Sequence, residues 1–246
     1  MQKKANILGV QVDSVTMSQA VAAIEAMINE NQSGHKVHLV ATANAEMVML
    51  ANQDPVLAAI LAAADLVVPD GAGVVWAARH TGQAVPERVA GFDLAQELFS
   101  ISAKKGYRIY FLGGAPGIAA QAQVAAKLKY GDINFVGVHD GFFRPDEIPE
   151  LVKNINEVNV DLLFVALGVP KQEKWLYQIQ ATLSAKVAIG VGGTFDVMAG
   201  VMKRAPLWMQ QTNLEWLFRL MMQPTRAIRM LALPKFVLKV MTSKKD

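Results

Sequence analysis

Seven short apolar runs, set apart by segments of helical period, constrain this chain more than any other feature. The runs fall at residues 7–12, 37–41, 66–68, 108–112, 134–138, 161–166 and 186–191. Between them, apolar residues recur three and four apart over 17–29, 55–63, 92–104, 117–129, 146–156 and 171–183. Short, largely apolar strands of this kind fit a parallel sheet with helices above and below it. Strand–helix alternation at this spacing predicts an α/β fold: a Rossmann-like, mainly parallel sheet with helices on both faces. Two helix starts are written in the sequence. Thr16 with Gln19 makes a capping box, and Asp54 precedes a proline at the first helical position.

The strand pattern stops near residues 200–206, and the charge changes there. From Lys203 onward nine Lys/Arg stand against Glu215 and Asp246, a net of +7, whereas residues 1–202 carry 15 basic and 19 acidic side chains, a net of −4. We therefore expect a core over 1–202 and a basic, amphipathic helical C-terminal appendage over 203–246. Within the appendage, residues 207–222 have helical period, and Pro224 interrupts it. Leu214, Leu217, Phe218 and Met221, with Trp208 and Trp216, form the apolar stripe, while Arg226 and Arg229 share another face. Two readings stand: a lid that meets anionic headgroups and a lipid diphosphate, or a C-terminal helix packed on the body. A cationic, apolar tail on a mildly acidic body points to a membrane surface as partner, and not to nucleic acid. No run of about 18 apolar residues occurs. The start, with only a short apolar run before Gln11 and Asp13, reads as a first strand and not as a signal peptide. The expected location is cytoplasmic, peripheral on the inner face of the cell membrane. Cysteine is absent, which excludes disulfides, thiol nucleophiles and cysteine zinc sites.

In a parallel sheet the ligand sits beyond the carboxyl ends of the strands. The loops that fall there are 42–46, 69–73, 113–117, 139–144, 168–173 and 192–196. Gly113, Gly114 and Gly117 follow a strand and open a helix, so the backbone could approach a nucleotide diphosphate, or could simply turn. Asp70, in Pro-Asp-Gly-Ala-Gly, is placed for a general base or for a helix cap. Thr42, Asn44 and Gln172 carry the hydroxyl and amide groups that read sugar hydroxyls or N-acetyl groups. Thr42 could equally cap a helix, and Glu173 could merely complement a helix dipole. Arg88 suits a departing diphosphate, or a surface ion pair with Glu87 or Asp93. There is no Asp-x-Asp pair, and His35, His38, His80 and His139 lack ligand spacing, so neither metal nor cofactor is expected. Arginines and a helix N-terminus must then do the electrostatic work of a metal.

Taken together these motifs resemble one family, the WecG/TagA/CpsF glycosyltransferases of bacterial surface-polymer synthesis. The matching residues are Thr42-x-Asn44, Pro69-Asp70-Gly71-x-Gly73, Glu87-Arg88-Val89-x-Gly91-x-Asp93 and Phe111-Leu112-Gly113-Gly114-x-Pro116-Gly117. They continue with Gly168-x-Pro170-Lys171-Gln172-Glu173, Gly192-Gly193-x-Phe195-Asp196, Arg204-Ala205-Pro206, Glu215-Trp216-x-x-Arg219 and Pro224-x-Arg226, in family order. The resemblance implies inverting transfer of N-acetylmannosamine from a UDP donor to the 4-hydroxyl of N-acetylglucosamine on undecaprenyl diphosphate. It implies Asp70 as base and Arg88 as the group that stabilises departing UDP. Thr42, Asn44 and Gln172 match pocket positions, and Asp196 a position that meets the nucleoside. Arg219, Arg226 and Arg229 match the basic tail that closes over the site and meets the lipid diphosphate. A uronic-acid or other hexose donor is the alternative within the family. Outside it stand a nucleotide-sugar or NAD-dependent oxidoreductase, with Asp140 as ribose-binding acid, and a non-catalytic sugar-nucleotide-binding scaffold at the membrane. The exposed apolar tail surface could also bury itself in a homo-oligomer.

Overall fold

The structure is a computed structural model, and it describes residues 3–30, 36–212, 214–222 and 231–243. Six strands form the main sheet: β3 (His38–Ala43), β4 (Leu66–Pro69), β5 (Ile109–Gly113), β6 (Phe135–His139), β7 (Leu162–Ala166) and β8 (Val187–Gly190). Their order is β4-β3-β8-β7-β5-β6 and every pairing is parallel, so all six carboxyl ends share one rim. The last strand, β8, lies between β3 and β7, and chain order and sheet order part company there.

Side chains alternate across this sheet, and each face has its own core. Val40, Phe111, Phe164 and Ile189 pack under α1 (Met17–Asn29), α5 (Gly91–Lys105), α6 (Ile118–Tyr130) and α9 (Thr194–Met198). Phe99, Phe111, Phe164 and Phe195 form a ring-to-ring cluster within it. On the other face Leu112, Leu163, Val165 and Ala188 meet α7 (Ile148–Glu157) and α8 (Lys171–Ile179). Beside them Ala41, Ala43 and Val67 meet α2 (Ala45–Ala51), α3 (Pro55–Ala63) and α4 (Ala72–His80). Both sequence-predicted caps form: Thr16 with Gln19 as a reciprocal box, and Asp54 accepting from Val56 and Leu57 ahead of Pro55.

Three local expectations need correction. Residues 7–12 are not one strand of the main sheet. They belong to an antiparallel hairpin, β1 (Lys4–Ile7) and β2 (Val10–Asp13), turned at Leu8 and Gly9. Both turn residues have positive φ, 50° and 93°, as a two-residue hairpin requires. Helices α2 and α4 occupy stretches with no assigned helix. Both are short and apolar around most of their circumference, so neither shows the one-sided period that marks a surface helix. Finally, α8 stops at Ile179 and not near 183, where the chain tightens into a turn with the Thr182 N–H and Oγ1 both donating to the Ile179 carbonyl.

Beyond residue 203, α10 (Leu207–Gln211) and α11 (Glu215–Met222) precede a terminal helix, Ala232–Thr242. The terminal helix packs on α2 and α4 and buries Phe236 and Val240 in their core. On α10 and α11, by contrast, Leu207, Trp208, Trp216, Met221 and Met222 are exposed. No helix among the described residues is long and apolar enough to cross a membrane.

Candidate active site

The rim carries a cleft where β3, β4, β7 and β8 end. Thr42, Asn44, Asp70, Arg88 and Gln172 all line it, with Glu46, Phe92, Arg204 and Glu215. Five residues picked from loops spread over 130 positions are thus brought together by the parallel strands.

Asp70 follows the last residue of β4. Its N–H donates to the Ala43 carbonyl (2.9 Å), and its Oδ1 accepts the N–H of Gly91, the first residue of α5, at 3.0 Å. Asp70 is not the N-cap of the helix that follows it, which is Gly71; its side chain instead holds the first N–H of α5 and faces the cleft. Gly91 suits this close approach of α5 to the end of β3, because a Cβ would lie 3.0 Å from Thr42 Cγ2.

Arg88 reaches Asp70 because the Val89 N–H donates to the Pro69 carbonyl (2.9 Å), which lays the 84–90 loop against β4. Its Nε donates to the Asp70 carbonyl at 2.6 Å, and its Nη2 pairs with Glu215 Oε2 of α11 at 2.8 Å. The surface-pair expectation with Glu87 or Asp93 gives way to this partly buried pair. Burial alone would lower the Arg88 pKa, but Asp70, Glu215 and Asp93 together raise it above the usual guanidinium value. Asp93 also accepts from Arg204 Nη2 (2.7 Å), and the Arg204 guanidinium lies 4.5 Å from the Phe92 ring centroid.

The polar pocket residues are more committed than their sequence suggested. Thr42 does not cap α2; its hydroxyl donates to the Gly190 carbonyl at 3.0 Å and ties β3 to β8. Asn44 is the cap, its Oδ1 accepting the Met47 N–H at 3.0 Å. What Asn44 keeps for a ligand is its Nδ2 donor, and what Thr42 keeps is its oxygen as acceptor. Glu173 does more than complement a dipole. It is buried beneath Gln172, and burial pushes its carboxyl up to about 7 despite the Gln172 hydrogen bond, which favours the charged form.

Other expected site residues lie elsewhere. Gly113 and Gly114 do not line the cleft. A Cβ on Gly113 would stand 2.4 Å from the Ala166 carbonyl oxygen, and the Gly114 N–H donates to that oxygen at 3.0 Å. These glycines let β5 and β7 approach each other. Gly114 borders a separate shallow depression with Gly141, Phe142, Phe143, Arg144 and Lys171. Asp140, weighed as a ribose-binding acid, closes a tight turn by accepting the Phe142 N–H at 2.8 Å. Asp196 is in α9, near the cleft residues Gly193, Thr194 and Val197 but outside the lining. Arg219 is in α11, but its side chain lies outside the described residues, as do Arg226 and Arg229 entirely. No group of three or more potential metal ligands occurs among the described residues.

Sequence reading assigned no role to Glu46, Arg204 and Glu215. Glu46 had a signal, since Asn44 as cap puts it in the first turn of a helix at the rim. Arg204 and Glu215 sat in quoted motifs, but only folding shows what they face.

Comparison with known proteins supplies the remaining finding. Residues 5–246 match the sequence model of the glycosyl transferase WecG/TagA/CpsF family. The chain is 36% identical over 208 residues to the N-acetylglucosaminyldiphosphoundecaprenol N-acetyl-beta-D-mannosaminyltransferase of Bacillus subtilis (strain 168), covering 85% of this chain and 80% of that one. It is 34% identical over 242 residues to the protein of the same description from Staphylococcus aureus (strain MRSA252), covering 98% and 94%.

Proposed function

The chain belongs to the WecG/TagA/CpsF family of glycosyltransferases, and on that premise we propose that it moves N-acetylmannosamine from UDP-N-acetylmannosamine to the 4-hydroxyl of N-acetylglucosamine on undecaprenyl diphosphate. The transfer inverts the anomeric centre and serves a cell-surface polymer, the wall teichoic acid linkage unit or a related one. The observation that carries this reading is the meeting of Asp70 and Arg88 with Thr42, Asn44 and Gln172 in one cleft, in a chain whose relatives are named for that transfer.

In the proposed step Asp70 takes the proton from the acceptor 4-hydroxyl as that oxygen bonds to the anomeric carbon. The bond from that carbon to the UDP oxygen breaks, and Arg88 meets the negative charge that builds on the diphosphate. Glu215 now holds Arg88 Nη2, so a diphosphate that binds at this nitrogen replaces the carboxylate. Thr42, Asn44 and Gln172 recognise the sugar, and Asp196 meets the nucleoside. Arg219, Arg226 and Arg229 meet the lipid diphosphate. No metal takes part, and EDTA should leave turnover unchanged; loss of activity in EDTA with recovery in Mg²⁺ or Mn²⁺ would refute that.

The enzyme works at the inner face of the cell membrane, with the exposed Leu207, Trp208, Met221 and Met222 as its apolar contact and the basic tail as its electrostatic one. Deleting everything after Gly200 would also strip Phe236 and Val240 from the core, so the cleaner variant is Leu207→Glu with Trp208→Glu. It should lose binding to anionic vesicles while keeping its thermal midpoint, and unchanged vesicle binding would argue against this surface.

The reaction itself is tested by incubating UDP-N-acetylmannosamine with a short-chain N-acetylglucosaminyl-diphospho-undecaprenol analogue, and reading products by mass spectrometry. A disaccharide-lipid with released UDP is the expected result. No product from this donor, with product from its uronic acid or another UDP-hexose, would change the donor and keep the reaction class.

A further inference from the structure

Gln172 is 1% exposed yet lines the cleft, and its carboxamide is held from three sides. Its Oε1 accepts two backbone N–H groups, from Gly168 at 3.2 Å and from Gly192 at 3.1 Å. These glycines belong to the loops after β7 and β8, so one oxygen clamps two walls of the cleft. Its Nε2 donates to Glu173 Oε1 at 2.7 Å. A backbone N–H can only donate, so the oxygen end of the amide must face the glycines and the nitrogen end must face Glu173. A carboxamide has two acceptor lone pairs and two N–H donors. Three of these four are used, and the one left is an N–H.

Glu173 is 5% exposed, and its Oε2 is buried with no partner among the described residues. Among the described residues no cation acts on this carboxyl; its pKa is governed by burial, and Gln172 is the side chain that acts on it by hydrogen bonding. On the far side Gly190 leaves no slack. A Cβ there would lie 2.4 Å from Gln172 Nε2 and 3.1 Å from Glu173 Oε1. Gln172 thus sits between a bare backbone, two loop amides and a buried acid.

We infer that Glu173 is a positioning residue that fixes the Gln172 carboxamide in one orientation, so that Gln172 clamps the Gly168 and Gly192 loops and offers the substrate a single N–H donor and no acceptor. The cleft wall at Gln172 therefore recognises an oxygen acceptor, such as an acetamido carbonyl or a hydroxyl oxygen on the sugar. That chemical class rests on the UDP-sugar reading above, whereas the clamp does not.

Two variants test this. Glu173→Gln keeps a neutral side chain of the same shape, with an oxygen for Gln172 Nε2. Glu173→Leu removes the acceptor. In Glu173→Leu the Gly168 and Gly192 amides should exchange with solvent about tenfold faster or more, while amides in β5 and β7 keep their protection. Glu173→Gln should match the wild type. In turnover, Glu173→Leu should raise KM for UDP-N-acetylmannosamine about tenfold with kcat within about twofold, leave binding of UDP alone unchanged, and be rescued by Glu173→Gln. Unchanged exchange at the two glycines in Glu173→Leu would overturn the clamp, and so would a Glu173→Gln protein that behaves like Glu173→Leu. Should Glu173→Leu not fold, the wild type still decides. Its Gln172 side-chain N–H bonded to Glu173 must be protected from solvent exchange, and a side-chain amide that exchanges as fast as that of an exposed glutamine would overturn the assignment. The exchange arms use ligand-free protein, so a wild type that fails to transfer the sugar sinks the functional reading alone.

Discussion

The two ends of the rim look alike in sequence and differ in what their glycines do. At the cleft end, Gly91 and Gly190 are bare because polar side chains, Thr42 and Gln172, occupy the space a Cβ would need. At the other end, Gly113 is bare because the backbone of a neighbouring strand, at Ala166, occupies it. The first kind of glycine makes room for chemistry, and the second makes room for the sheet. A glycine-rich turn is thus weak support for a phosphate site until the atoms facing it are known.

The strongest way to break this contrast is to swap one acid for its amide at each end. Asp70→Asn should lower turnover by about 10²–10⁴-fold, the usual contribution of a general base, with UDP-sugar binding retained. Asp140→Asn, whose parent side chain only closes a turn, should stay within about twofold in the same assay, since an amide oxygen can accept the same N–H. Equal losses from both would erase the distinction.

A smaller effect separates two glycines within the Gly-rich turn. Gly113→Ala meets the Ala166 carbonyl at 2.4 Å with a φ of 125°, and should cost about 3 kcal/mol or more in denaturant unfolding. Gly117→Ala meets nothing closer than 3.9 Å. It should cost only the left-handed backbone penalty, about 1–2 kcal/mol. A reversed order would mean that close approach to Ala166 is not what Gly113 provides.

The mildest test concerns the buried acid of the cleft end. Folding raises the Glu173 pKa from about 4.5 to about 7, so the stability held by its neutral form is complete below 4.5 and is lost as pH rises through about 7. Glu173→Gln stays neutral throughout. Compared by denaturant midpoint, the variant should gain on the wild type at about pH 8 but not at about pH 4. The same pH dependence in both proteins would sharpen the contrast differently, by removing Glu173 from the titrating groups of the fold.

Much of this was legible in the sequence, and the residues show where legibility stopped. Runs such as 109–112 and 162–166 declare themselves because a strand buried on both faces must be apolar along its length. Thr16 and Asp54 declare helix starts because a cap needs an oxygen at one fixed offset. The rim could be drawn from those alone, and Thr42, Asn44, Asp70, Arg88 and Gln172 fell on one cleft because parallel strands end on one side. Helices α2 and α4 were hidden because they are short and mostly apolar, with too few residues to show a one-sided period. The division of labour among the pocket groups was hidden too. Whether Thr42 or Asn44 caps α2, and whether Asp140 binds or merely turns, depends on atoms that approach from elsewhere in the chain.

What the sequence by itself determined is the α/β sandwich, the rim and the family, since these follow from local periodicity and from motifs read in order. What only the tertiary structure decided is how each polar group is occupied: Glu215 on Arg88, Gly190 beneath Gln172, Glu173 buried with a raised pKa. A hydrogen bond or a raised pKa is fixed by distance and burial, and residues 127 positions apart, such as Arg88 and Glu215, acquire both only when the chain has closed.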